Sequence, residues 1–228
     1  MRVNALKTIL VSLLIIFSLP RSFSQIPLNS CGINLTIPTF KKDSVFSDSE
    51  QILIRKKVLI PIQQSKSNFE IRLYSYPYFS PGKTIVIKCN GNKIEINHYG
   101  LGFQPTLDRT RIYKNSKNLG PLPENPGMDV LVFYENQLKL EDYTWQDFFS
   151  KLIDNYFFDL VPQTEIQKKV KTAHSNIEII GESALYIQIK VGNNFRNMKF
   201  SGSFGDAAQD IPEYRYLSNI YSILSKIK

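Results

Sequence analysis

The sequence predicts an α+β fold: a mainly antiparallel sheet built from hairpins, with two amphipathic helices, about 144–158 and 211–227, packed on one face. Three observations predict it. Asn90-Gly91, a dipeptide suited to a tight turn, sits between two runs of alternating apolar residues. Two later segments repeat their apolar residues at helical spacing. The elements come in the order strands, helix, strands, helix, with the strands joined as hairpins, so the sheet offers each helix an apolar surface.

The chain opens on a segment that reads as an export signal. Arg2 and Lys7 give a positive start, residues 9–19 are almost wholly apolar, and Ser22 and Ser24 place small residues three and one before Gln25. Residues 1–24 are expected to be cleaved, residues 25–50 to form an N-terminal segment and linker, and residues 51–228 to form a single α+β domain. The apolar core is shorter than the ~20 residues a helix needs to cross a bilayer. No later run comes near that length, so no membrane span is expected in the mature chain. Leu28-Asn29-Ser30-Cys31 loosely resembles a lipid-attachment box. Pro20, Arg21 and Gln25 separate that cysteine from the apolar core, so a lipoprotein at Cys31 is not expected. The expected location is periplasmic or extracellular.

Ile33, Leu35 and Ile37 alternate ahead of Pro38, as in a short leading strand. Residues 41–50 are polar and serine-rich and read as a connection. Residues 52–62 and 69–76 are rich in β-branched and aromatic side chains and read as strands. With Asn90-Gly91 as a type I′ turn, Ile87 faces Ile94 and Ile85 faces Ile96, on the side that Cys89 shares. Val86 with Glu95, and Lys88 with Lys93, take the other side. Residues 98–128 are rich in glycine and proline without a clear period and read as one long loop region. Residues 129–134 resume as a buried strand.

The first of the two helices carries Trp145, Phe148, Phe149, Leu152, Ile153, Tyr156 and Phe157 on one face. Thr144 and Asp147 stand at capping-box spacing at its start. A shorter helix is read at 164–171. Residues 177–180, 184–191 and 196–202 read as strands, and a turn at Asn193-Asn194 would set Ile189 opposite Met198 and Ile187 opposite Phe200. Asp210 is placed to cap the last helix, with Pro212 in its first turn.

Both cysteines, Cys31 and Cys89, survive removal of the leader, and an oxidising compartment permits one disulfide between them. It would tie the N-terminal segment to the tip of the hairpin. The 28 basic and 20 acidic residues give a net charge of +8, and losing Arg2, Lys7 and Arg21 with the leader lowers it to +5. The basic residues are spread along the chain. Arg55-Lys56-Lys57 and Lys168-Lys169 are the tightest groups, and neither makes the stripe of a nucleic-acid binder, so no nucleic-acid partner is expected.

Catalytic patterns are absent. His98 and His174 are the two histidines, and no Gly-x-Ser-x-Gly elbow occurs. Neither histidine nor cysteine pairs have metal-ligand spacing, and no glycine-rich loop joins a strand to a helix, so no metal and no cofactor is expected. Glycoside hydrolysis needs only two suitably separated carboxylates. Glu135, Glu141 and Asp142 lie just after a strand, where acids can edge a cleft. Solvated turn residues are the plainer reading of all three.

One strand is more suggestive. Alternation places Arg72, Tyr74, Tyr76 and Tyr78 on one face, the residue types that dominate binding hot spots. Tyr99, Arg109, Arg111 and Tyr113 would extend that surface. The competing reading packs the same face beneath a helix, since tyrosine is also a good strand former. The sequence therefore points to an exported, non-catalytic binding or interaction module for a protein or a glycan. An exported hydrolase using carboxylates and a structural envelope protein are the alternatives.

Overall fold

Period-two alternation along seven segments is what builds the main sheet, because each such strand turns alternate residues to opposite sides of it. The computed structural model describes residues 25–31, 33–38, 48–76, 82–90, 93–105, 116–123, 125–136, 140–141, 143–175, 180–203 and 208–227. The expected leader at 1–24 lies outside them, as do most of the connection at 41–50 and residues 177–179 of one expected strand. Tyr78, Arg109, Arg111, Tyr113 and Asp142 also lie outside the described residues.

Strands β1 (Gln25–Ser30) and β2 (Ile33–Pro38) pair as a separate antiparallel ribbon. Helix α1 (Asp48–Arg55) and a 3-10 turn (Ile62–Gln64) precede the main sheet. That sheet holds β3 (Phe69–Tyr76), β4 (Lys83–Asn90), β5 (Lys93–Pro105), β6 (Ser116–Leu122), β7 (Asn125–Asn136), β8 (Ile180–Val191) and β9 (Asn194–Ser203). Between β7 and β8 lie α2 (Trp145–Asp154) and α3 (Gln163–Ala173), and α4 (Pro212–Leu224) closes the order. The seven strands run β6-β7-β5-β4-β3-β8-β9, every neighbouring pair antiparallel, so the fold is the α+β class expected.

One sheet face gathers Phe69, Ile71 and Leu73 of β3 with Ile85, Ile87 and Cys89 of β4 and the apolar residues of β8. The buried stripes of α2, α3 and α4 belong to the same cluster, as do Ile33 and Ile37 of the ribbon. The other face carries Tyr74, Val86, Leu101, Val130 and Val132, and against them lie Ile52 and Leu53 of α1, with Leu59 and Leu122. The sheet is thus clothed on both sides.

Residues 52–62 correct the strand reading. β-branched composition favours a strand only where a partner strand and a half-buried surface await it. Here Ile52 and Leu53 bury against the second sheet face from a helix, and Val58 N–H and Leu59 N–H fold back onto Leu53 O at 2.8 and 3.2 Å. Residues 98–128 are corrected as well. β5 runs on to Pro105 and β6 occupies Ser116–Leu122, their glycines and prolines notwithstanding, because β7 supplies a partner to both.

Both hairpins keep their expected faces but slip in register. Asn90 pairs with Lys93, so Ile87 faces Ile96 and Cys89 faces Ile94. In the β8–β9 hairpin Val191 pairs with Asn194 around Gly192, whose φ of +58° suits glycine, and Ile187 faces Met198 while Leu185 faces Phe200. Changing a pair sum by two leaves every side chain on its face, so burial alone did not select between these registers.

Cys31 and Cys89 are joined, with sulfurs 1.93 Å and Cα atoms 5.8 Å apart, which fastens the ribbon to the end of β4. The capping box of α2 is present: Thr144 Oγ1 accepts from Asp147 N–H at 3.1 Å. That helix stops at Asp154, short of the expected 158, and the turn beyond it delivers Phe157 and Phe158 into the core. Arg196 of β9 holds this turn by donating from Nη1 to Phe158 O at 2.8 Å and from Nη2 to Leu160 O. Asp210 does not cap α4; Ile211 takes the N-cap position without a side-chain bond, and Asp210 turns to His174 instead.

Candidate functional site

The tyrosine and arginine face of β3 is interior. Arg72 and Tyr74 are both 0% exposed, because α1 and the segment after it cover this side of the sheet. That corrects the expectation of an open binding surface at these two residues. The Tyr76 side chain and Tyr78 lie outside the described residues. In place of a surface, β3, β8 and β9 carry a buried polar ladder. Arg72 Nε donates to Glu70 Oε1 at 2.7 Å, and Ser65 Oγ donates to Glu70 Oε2. Lys88 Nζ lies 3.9 Å from Glu70 Oε1, and Lys190 Nζ donates to Ser65 O. Tyr74 Oη donates to Gln188 Oε1 at 2.9 Å, and Gln188 Nε2 to Asn197 Oδ1 at 2.7 Å. Burial alone would lower the Arg72 pKa, but the neighbouring Tyr74 and Glu70 outweigh it and raise it above its ordinary value. The guanidinium stays charged. These bonds fix the 3-10 segment to the sheet, and their role is to position that segment.

Of the acids singled out from sequence, Asp142 and the Glu135 side chain lie outside what the structure describes. Glu135 is on β7 opposite His98 of β5. Glu141 is exposed, beyond the end of β7, and its N–H donates to Lys226 O at 3.0 Å.

A concave site does occur where α3 meets the start of α4. The buried stripe of α3 is Ile166 and Val170, which turns Glu165, Lys168, Lys169, Thr172 and Ala173 outward. Ile211, Pro212 and Glu213 form the facing wall, and the groove between them has a volume of about 840 Å³. Lys169 Nζ donates to Glu213 Oε1, and this bond holds the Glu213 carboxyl below its ordinary 4.5. His174, at the C-cap of α3, has Nε2 at 2.9 and 3.0 Å from the two carboxylate oxygens of Asp210. The groove therefore has aliphatic side chains on both walls, charges of both signs beside them, and a half-buried histidine paired with an exposed aspartate next to it.

The chain matches no family model, no curated protein and no solved structure. Among the described residues no group of three or more His, Cys, Asp or Glu side chains is placed to hold a metal ion. No described helix is long and apolar enough to cross a membrane. Sequence reasoning missed the groove because its two walls lie 44 residues apart along the chain, counting from Lys169 to Glu213. The charged stripe on α3 was the available signal, and it reads like any solvated helix face until a second wall stands opposite.

Proposed function

We propose that the protein is exported and works as a non-catalytic binding module, taking an extended segment of a partner protein in the groove between α3 and α4. The groove itself carries this reading. Ala173 on one wall and Ile211 and Pro212 on the other supply apolar area, and Glu165, Lys168 and Lys169 supply charges that orient a peptide. Concave, mainly apolar sites with a few placed polar groups are where ligands bind. The Cys31–Cys89 disulfide supports an oxidising compartment, where such a bond persists.

The test is capture on the immobilised chain from Gln25 onward, against the extracellular and envelope fractions of its own source, in parallel with an Ala173→Trp variant. The indole introduced there would fill the groove from its α3 wall and leave the buried stripe of Ile166 and Val170 untouched. A salt-resistant, stoichiometric protein held by the parent chain and lost by the variant establishes the groove as its site. Equal capture by both removes the groove. A glycan held by the parent and lost by the Ala173→Trp variant, or no protein retained by either, overturns the reading of a protein ligand in the groove and turns attention to hydrolysis.

A further inference from the structure

α2 ends in a turn that ordinarily calls for glycine. Tyr156 N–H donates to Ile153 O at 2.9 Å and Phe157 N–H to Leu152 O at 2.9 Å, the two reversed bonds that close a helix through one residue in the left-handed region. That residue is Tyr156, with φ +57°. Glycine sits there without strain, whereas a bulky aromatic side chain is rare at such an angle. Burial does not offset the strain, since 54% of Tyr156 is exposed. A large ring stands more than half exposed at a position that favours glycine.

The ring is not alone. Its centroid lies 4.7 Å from that of Tyr216 on α4, the planes tilted by 43°. Beside the pair, Asn219 Nδ2 donates to Asn155 Oδ1 at 2.8 Å, and Asn155 Nδ2 donates to Lys151 O at 2.8 Å. Two phenol rings and two amides are thereby held at the junction of α2 and α4.

We propose that Tyr156, backed by the partly buried ring of Tyr216 and flanked by Asn155 and Asn219, forms a platform that binds a β-1,4-linked pyranose chain. The flat C–H face of such a sugar meets the electron-rich face of an aromatic ring. Its equatorial hydroxyls point outward, where phenol and amide groups both donate and accept. The bond between the asparagines sets the platform in advance, which lowers the cost of ordering it on binding. A protein partner needs about 800 Å² on each side of a stable interface. The exposed ring of Tyr156 offers far less, an area that a single sugar unit covers. The platform shares no residue with the groove between α3 and α4, so the two sites stand or fall separately.

The experiment is titration calorimetry of the chain from Gln25 with cellohexaose and with chitohexaose, on the parent and on Tyr156→Gly, Tyr216→Ala and Ala173→Trp variants. The parent should bind at least one oligosaccharide. Tyr156→Gly should weaken binding roughly tenfold or more while leaving the melting temperature equal or higher, because the turn is relieved of strain. Tyr216→Ala should weaken it likewise, and Ala173→Trp should leave it unchanged. A parent chain that binds neither oligosaccharide overturns the proposal. So does a Tyr156→Gly variant that melts several degrees lower, since the ring would then be a packing residue, or one that binds as well as the parent.

Discussion

Glu70 and Arg72 show how much a single buried charge depends on its neighbours. Both side chains are fully enclosed, and the pair is bridged at 2.7 Å. Removing one member of such a pair leaves the other desolvated without its counter-charge. Glu70→Ala is expected to destabilise the fold by about 3–5 kcal/mol, read as the shift of the urea midpoint. Replacing both residues by methionine should cost well under the sum of the two single changes, because no lone charge is left behind. The exposed Lys169–Glu213 bridge contrasts with it. Lys169 is half exposed, and a pair in water contributes at most ~1 kcal/mol. Its sign follows from the depressed Glu213 pKa: the contribution is present above the ordinary value of 4.5 and is lost as the pH falls through the lower folded value. Lys169→Ala should therefore lower the melting temperature slightly at neutral pH and leave it unchanged at the acid end of that window.

At the scale of elements, α1 and α2 illustrate opposite relations between composition and structure. α2 is locally determined. Its apolar stripe, Thr144 cap and Asp147 partner all agree, and Thr144→Ala should cost about 1 kcal/mol of stability in thermal unfolding. α1 is determined from above. Ile52 and Leu53 become helical because the face of Tyr74, Val86 and Leu101 needs a cover, and an eight-residue helix has little stability of its own. Leu53→Ala should cost roughly 2–5 kcal/mol and expose the buried ladder beneath. Increased hydrogen exchange at Glu70 and Arg72 in that variant would confirm the cover; unchanged exchange there would contradict it.

At the scale of the whole molecule, the disulfide joins two bodies that the hydrogen-bond ladder does not. β1 and β2 pair only with each other, and Cys31–Cys89 fastens that ribbon to β4 across 58 residues of chain. Cross-links of this span contribute about 2–4 kcal/mol, largely by restricting the unfolded chain. A Cys31→Ser/Cys89→Ser double variant should lose that much in denaturant unfolding. The seven-stranded sheet should survive, seen as an unchanged far-ultraviolet spectrum before the transition. A spectrum already collapsed in dilute buffer would show that the ribbon is part of the sheet's folding unit.

What the amino-acid order settled alone is whatever depends on neighbours within a turn or two. The aromatic stripe of α2, its capping box, the alternation of β3, β4 and β8, and the α+β class were all legible, because helix and strand periods are properties of the local chain. Arg72 and Tyr74 of β3 were legible as one face but not as a buried one. A period of two says which side chains point together, and nothing about what lies above them. The exact pairing in both hairpins escaped for a related reason, since a slip that preserves the faces leaves the hydrophobic pattern intact. The groove between Lys169 and Glu213, and the ring pair of Tyr156 and Tyr216, belong to the tertiary structure alone. Each joins residues dozens of positions apart, and only the packing of α2, α3 and α4 around a common core brings them within contact distance.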